Sequence, residues 1–144
     1  MSELSALREL VESYALHADR RDAAAFCSLW TPDARLVVYQ SDGAPQSTYE
    51  GADAMAGVVE ALRSRYASTL HMVGAHGCAV DGDQATGEVS CVAHHVTEAG
   101  VEMVMAIRYV DRYRRDAGEG WRFEHRECHK LWTRTGNVDV HREP

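Results

Sequence analysis

Eight histidines occur in a chain of 144 residues, and six of them (His71, His76, His94, His95, His125 and His129) lie in stretches whose patterning predicts β-strands. Histidine exchanges protons near neutral pH, so acid–base chemistry with carboxylate or tyrosine partners is the first chemistry to weigh. For any single histidine, a hydrogen-bonded core or surface role is the simpler reading. One carboxylate stands out by position. The stretch Tyr14–Asp22, YALHADRRD, closes an amphipathic helix near Asp19. That carboxylate either finishes a surface helix beside Arg20 and Arg21 or overhangs a pocket.

Other chemistries find less support in the residues. There is no GxSxG elbow, no GxGxxG, no phosphate loop, and no cysteine at an electropositive helix start. The four cysteines, at 27, 78, 91 and 128, form no CxxC and read as small buried side chains. No HxxxH or HExxH falls on a predicted helix, and adjacent His94 and His95 point to opposite faces of a strand. No metal and no cofactor are therefore expected.

The length suits one domain with one core. Net charge is -7, with 15 Lys+Arg against 22 Asp+Glu, which argues against nucleic acid or an anionic membrane as partner. No apolar run approaches the roughly 20 residues that span a bilayer. The opening MSELSALREL has no basic segment followed by an apolar core, so a cytoplasmic location is the expectation.

The elements that must position these residues follow from periodicity. Leu4, Leu7, Val11, Tyr14 and Ala18 make one face of a helix over 4–18, with Ser2 as its cap. A second helix is predicted over 22–30, capped by Asp22 and stopped by Pro32. ARLVVYQ (34–40) reads as a strand, STYEG as a short one, and 52–66 as a third helix with Met55, Val58, Val59 and Leu62 inward. Turn signals at 81–83, 97–100 and 116–120 then divide the remainder into four long antiparallel strands. The predicted fold is α+β, three N-terminal helices packed on a strongly curved, mostly antiparallel sheet, with a concave mouth suited to a small ligand. Strict alternation puts Val101, Met103, Met105, Ile107, Tyr109, Asp111 and Tyr113 on one strand face. It likewise groups Trp121, Phe123, His125, Glu127, His129 and Leu131. An exposed apolar sheet face would suit a homodimer. One domain over 1–133 and a polar tail over 134–144 are expected.

The order of elements, and above all YALHADRRDAAAFCSLWTPDARL, resembles the nuclear transport factor two-like superfamily and within it the SnoaL-like group. That group includes polyketide cyclases, scytalone dehydratase, bile-acid dehydratase and hexachlorocyclohexane dehydrochlorinase. The resemblance implies a cone-shaped α+β barrel and matches residues to roles. An Asp after the first helix matches Asp19. A His opening the strand after the third helix matches His71, in YASTLHMVG. A second dehydratase His matches His95, and a Tyr ending the first strand matches Tyr39. The Tyr that precedes the Asp in the dehydratase is replaced by Ala18, and Tyr14, about a turn earlier, is the candidate substitute. An Arg of the dehydrochlorinase matches Arg115 approximately. The resemblance thus implies a cofactor-independent lyase, specifically a dehydratase, or an isomerase. Its catalytic residues would be His71, Asp19 and His95, with Tyr39 and Tyr14 touching a small apolar cyclic or polyketide-like molecule. A polyketide aldol cyclase and a non-catalytic ligand-binding or dimerisation module of the same fold are the alternatives. No role follows from sequence for His94, His125 or His129.

Overall fold

A computed structural model describes residues 2–141. Helix α1 spans Glu3–Asp19, started by the Ser2 hydroxyl accepting from the Ser5 N–H. It buries Leu7, Leu10, Val11, Tyr14, Ala15 and Ala18. Helix α2, Ala23–Cys27, is capped by Asp22. It is shorter than predicted because residue 28 onward turns toward the sheet, where the Leu29 carbonyl accepts the Phe123 N–H at 2.8 Å. Trp30 therefore belongs to strand β1, Trp30–Tyr39, and is buried there rather than on a helix. Strand β2 (Pro45–Glu50), a 3₁₀ turn (Asp53–Met55) and helix α3 (Ala56–Arg65) follow, with Met55 and Val59 fully buried.

Strands β3 (Ser68–Asp81), β4 (Gln84–Val96), β5 (Val101–Arg115) and β6 (Trp121–Asn137) form the antiparallel meander expected from the three turn signals. Gly82 sits at φ 62° in the first of those turns, a conformation that favours glycine. The sheet order is β2-β1-β6-β5-β4-β3, with β1 parallel to β6 and every other pair antiparallel. The fold is thus three helices on a six-stranded mixed sheet, α+β as expected. It differs from a barrel in being open. Among the described residues β2 and β3 are edges, each paired with a strand on one side only, and α1 packs along β3 instead of a closing strand.

The boundary expected at 133 lies inside β6. Val101 pairs with Asn137, because main-chain pairing needs no apolar side chains. Residues 142–144 of the expected tail lie outside the described residues. Bulges correct the strict alternation. In β6 the pairing steps from Arg112↔His125 to Tyr113↔Phe123, leaving Glu124 as an extra residue. Phe123 and then Arg126 and Cys128 consequently all reach the core. His125, Glu127 and His129 go to the other face.

Candidate active site

Helix α1 stops in a way that fixes two side chains. The Asp22 N–H bonds the His17 carbonyl at 3.0 Å and the Arg21 N–H bonds the Ala18 carbonyl at 3.2 Å, a Schellman closure. Asp19, the last helical residue, then projects at the start of β3. Along β3, two-residue alternation sets Thr69 and His71 on one face, over that helix end.

The contacts are dense. Asp19 Oδ1 lies 2.7 Å from His71 Nδ1, and Asp19 Oδ2 accepts the His71 main-chain N–H at 2.9 Å. The Thr69 hydroxyl donates to Asp19 Oδ1 at 3.0 Å. The side chains are 17% exposed for Asp19 and 7% for His71. Burial by itself raises the Asp19 pKa, but the bonds from His71 and Thr69 outweigh it and hold the carboxyl below its ordinary value. An ionised carboxylate can only accept, so His71 Nδ1 carries a proton, and in the neutral tautomer of the ring Nε2 is the acceptor nitrogen.

His95 on β4 pairs with Thr69, and its ring lies edge-on to His71 with centroids 5.5 Å apart. The Tyr66 ring covers it at 4.8 Å. It is buried, and burial followed by the neighbouring His71 lowers its pKa to about 4, so it is a neutral imidazole at pH 7. Its Nδ1 has no hydrogen-bond partner among the described residues. Solvent reaches Asp19 and His71 through an open groove between α1 and β3, lined also by Glu12, Leu16 and Leu70. Met103, paired with His95, borders a second open depression of about 580 Å³ with Gln40, Gln46, Lys130 and Thr133.

The other expected contact residues lie elsewhere. Tyr14 is buried in an aromatic cluster with Phe26, Trp30, Tyr109 and Phe123, at centroid distances of 5.0 to 6.1 Å. Tyr39 stacks on His129 at 4.6 Å, on the outer sheet face, because Leu36 and Val38 take the inward positions of β1. Arg115 is bound at the surface to Glu3 and Asp83, over the Trp121 ring. His94 bonds Glu102 at 3.0 Å, while His125 and His129 flank Glu127 at 3.5 and 2.8 Å, all on the outer face.

One interior group was missed by the sequence reading. Arg126 is fully buried and donates to both Asp111 oxygens, at 2.7 and 2.8 Å. Its guanidinium lies 4.3, 3.8 and 4.4 Å from the ring centroids of Tyr14, Tyr109 and Phe123. Its Nη1 has no hydrogen-bond partner among the described residues. Asp111 also accepts from the Tyr113 hydroxyl at 2.7 Å, which lies 3.1 Å from His76 Nε2. The signal was Asp111 itself, a lone carboxylate in the apolar column Met103, Met105, Ile107, Tyr109, which needs a cation on the next strand. Burial pushes the Cys91 thiol up to about 11 and the Cys128 thiol to about 12, so neither is a ready thiolate. Among the described residues, no three His, Cys, Asp or Glu side chains are placed to hold a metal ion, and no helix is long and apolar enough to cross a membrane.

A model of the SnoaL-like domain matches residues 1–127. No curated protein matches the sequence. Among solved structures, hexachlorocyclohexane dehydrochlorinase LinA-type3 of Novosphingobium barchaimii LL02 is similar over 97% of this chain and 93% of its own, with 20% identity and a TM-score of 0.81. A provisionally assigned scytalone dehydratase of Novosphingobium aromaticivorans covers 96% of this chain and 89% of its own, with 19% identity and a TM-score of 0.81. At those identities the likeness shows the fold alone. An NTF2-like protein with a cystatin-like fold from the same organism has 27% identity and a TM-score of 0.75, over 90% of this chain and 82% of its own.

Proposed function

The chain belongs to the SnoaL-like domain family, and on that premise we propose that it is a cofactor-independent lyase or isomerase with His71 as its base. The observation that carries this is the 2.7 Å contact between Asp19 Oδ1 and His71 Nδ1 inside a half-buried site. Two further bonds hold the carboxylate, so the imidazole has one tautomer and one orientation. The reaction favoured is dehydration of a small, mostly apolar cyclic or polyketide-like molecule. His71 Nε2 takes the proton α to a carbonyl, and the electron pair of that C–H bond becomes the new double bond. The β-hydroxyl departs as water, with the proton returned by the His71 imidazolium. Asp19 stabilises that imidazolium. His95, neutral at pH 7, serves as a hydrogen-bonding group toward the oxygen where negative charge grows rather than as a strong acid. Aldol cyclisation would use the same base.

A homodimer through the outer sheet face is also proposed. Met72, Val92, Ala106 and Trp132 pair in register across four strands as one apolar row, and Met72, Val92 and Trp132 are 56%, 39% and 52% exposed.

The test is turnover of β-hydroxy and β-halo carbonyl and cyclic compounds, followed by loss of a C–H deuterium and appearance of the alkene. His71→Ala should abolish turnover at unchanged circular dichroism and melting temperature. Undiminished turnover by that variant would remove His71 from the mechanism.

A further inference from the structure

Among the described residues, Arg21 is the one non-glycine residue with a positive φ, at 58°. It occupies the position after the helix cap where a Schellman closure most often carries glycine, because a Cβ is strained in the left-handed region. The two closing bonds, Arg21 N–H to Ala18 and Asp22 N–H to His17, involve only the main chain. Glycine would make them equally well. Something in the arginine side chain offsets the strain, and such offsets concentrate at functional sites.

The side chain runs back under the dyad. Arg21 Nη1 donates to the Ala18 carbonyl at 2.9 Å and to the Thr69 hydroxyl oxygen at 2.6 Å. Thr69 in turn donates to Asp19 Oδ1 at 3.0 Å. A hydroxyl has one proton and two lone pairs. With the guanidinium fixed on one lone pair, the Thr69 proton is directed at Asp19. The chain of donors is then Arg21 to Thr69 to Asp19, with His71 donating to the same carboxylate from the other side. The Arg21 main chain is held as well, since the Arg63 guanidinium donates to its carbonyl at 3.0 Å.

We propose that Arg21 is a positioning residue for the Asp19–His71 dyad, acting through Thr69, and that its left-handed backbone is retained for that purpose. The proposal rests on the reading of Asp19 and His71 as the acid–base pair, but its test does not need a substrate. Without the guanidinium the Thr69 hydroxyl is free to turn, and Asp19 loses both a fixed donor and a nearby cation. Both losses raise the carboxyl pKa.

The experiment compares wild type with Arg21→Gly and Thr69→Val. It follows the Asp19 side-chain carboxyl carbon by NMR through an acid titration, and records melting temperature. Arg21→Gly should melt at or above the wild-type temperature, because glycine relieves the strain. Its Asp19 midpoint should nonetheless move up by about half a pH unit or more. Thr69→Val should move the midpoint in the same direction. An unmoved Asp19 midpoint in Arg21→Gly overturns the proposal. So does a lowered melting temperature in Arg21→Gly with an unmoved midpoint in Thr69→Val, which would make Arg21 a fold residue only. Shifted midpoints without turnover on any compound would support the positioning role while counting against the catalytic reading.

Discussion

Replacing Asp19 with asparagine should remove the base while leaving the fold. The reasoning follows from donors and acceptors. The Asp19 carboxylate accepts the His71 N–H at 2.9 Å, the His71 Nδ1–H at 2.7 Å and the Thr69 hydroxyl at 3.0 Å. An amide has one oxygen. If that oxygen keeps the main-chain N–H, the amide NH₂ faces His71 Nδ1, which must then be bare, and the ring proton moves to Nε2. A neutral hydrogen bond worth about 0.5–1.5 kcal/mol holds the wrong tautomer, cutting the competent population about 2- to 13-fold. The carboxylate's charge-assisted stabilisation of the imidazolium, about 1.5–3 kcal/mol, is lost as well. Together these give a fall in kcat of about 30- to 2,000-fold. Stability supplies a second readout. The Asp19 pKa is lowered on folding, so its contribution is present above the ordinary carboxylate value and is lost as pH falls through the folded value. The stability difference between wild type and Asp19→Asn should therefore shrink below about pH 4. Steady-state kinetics and long-range ¹H–¹⁵N spectra of the His71 ring make the check. A rate within about threefold of wild type, or a wild-type ring resting as the Nε2–H tautomer, would refute the argument.

Two further outcomes follow from other parts of the fold. Asp111→Asn strands the fully buried Arg126 charge and should cost about 3–5 kcal/mol in urea melts, whereas the double change Asp111→Leu, Arg126→Met should recover most of it; a single-variant cost under about 1 kcal/mol would contradict the pairing. Trp132→Glu puts a charge in the apolar row on the outer face and should convert a dimer to a monomer by sedimentation velocity, an expectation that fails if the wild type itself sediments as a monomer.

Patterning in the sequence located what depends on local chemistry. The apolar face of α1 ends at Ala18, so the chain must leave the helix near Asp19, and turn residues at 81–83, 97–100 and 116–120 divide the meander. What depends on pairing between distant strands was hidden. The parallel β1–β6 contact joins residues some ninety apart, and nothing local marks it. A bulge has no reliable composition, yet the extra Glu124 turns the side chains from His125 to Lys130 to the opposite faces, until a second extra residue, Leu131, turns them back. That single residue explains why Arg126 entered the core unannounced and why His125, Glu127 and His129 left it. Tyr39 was misplaced for a related reason. The resemblance set it beside the dyad, whereas Leu36 and Val38 fill the inward positions of β1. Thr69 and Arg21 carried no signal of their own, since their roles exist only once α1 and β3 meet.

The buried arginine is hard to explain as a stabiliser. An ion pair taken wholly out of water seldom gains on well-packed apolar residues of the same volume. Arg126 is pinned to Asp111 by two bonds and enclosed by three aromatic rings, so its position is over-determined. Yet one donor remains unfilled, in a core where nearly every buried N–H finds an acceptor. His95 Nδ1 is unfilled too, on β4, which β5 separates from β6. The same reasoning accounts for Tyr14. Its position about one and a half turns before Asp19 does not supply a hydroxyl to the dyad. Its ring instead forms one wall of the box that holds Arg126, so α1 supports both clusters with opposite ends of a single turn-and-a-half.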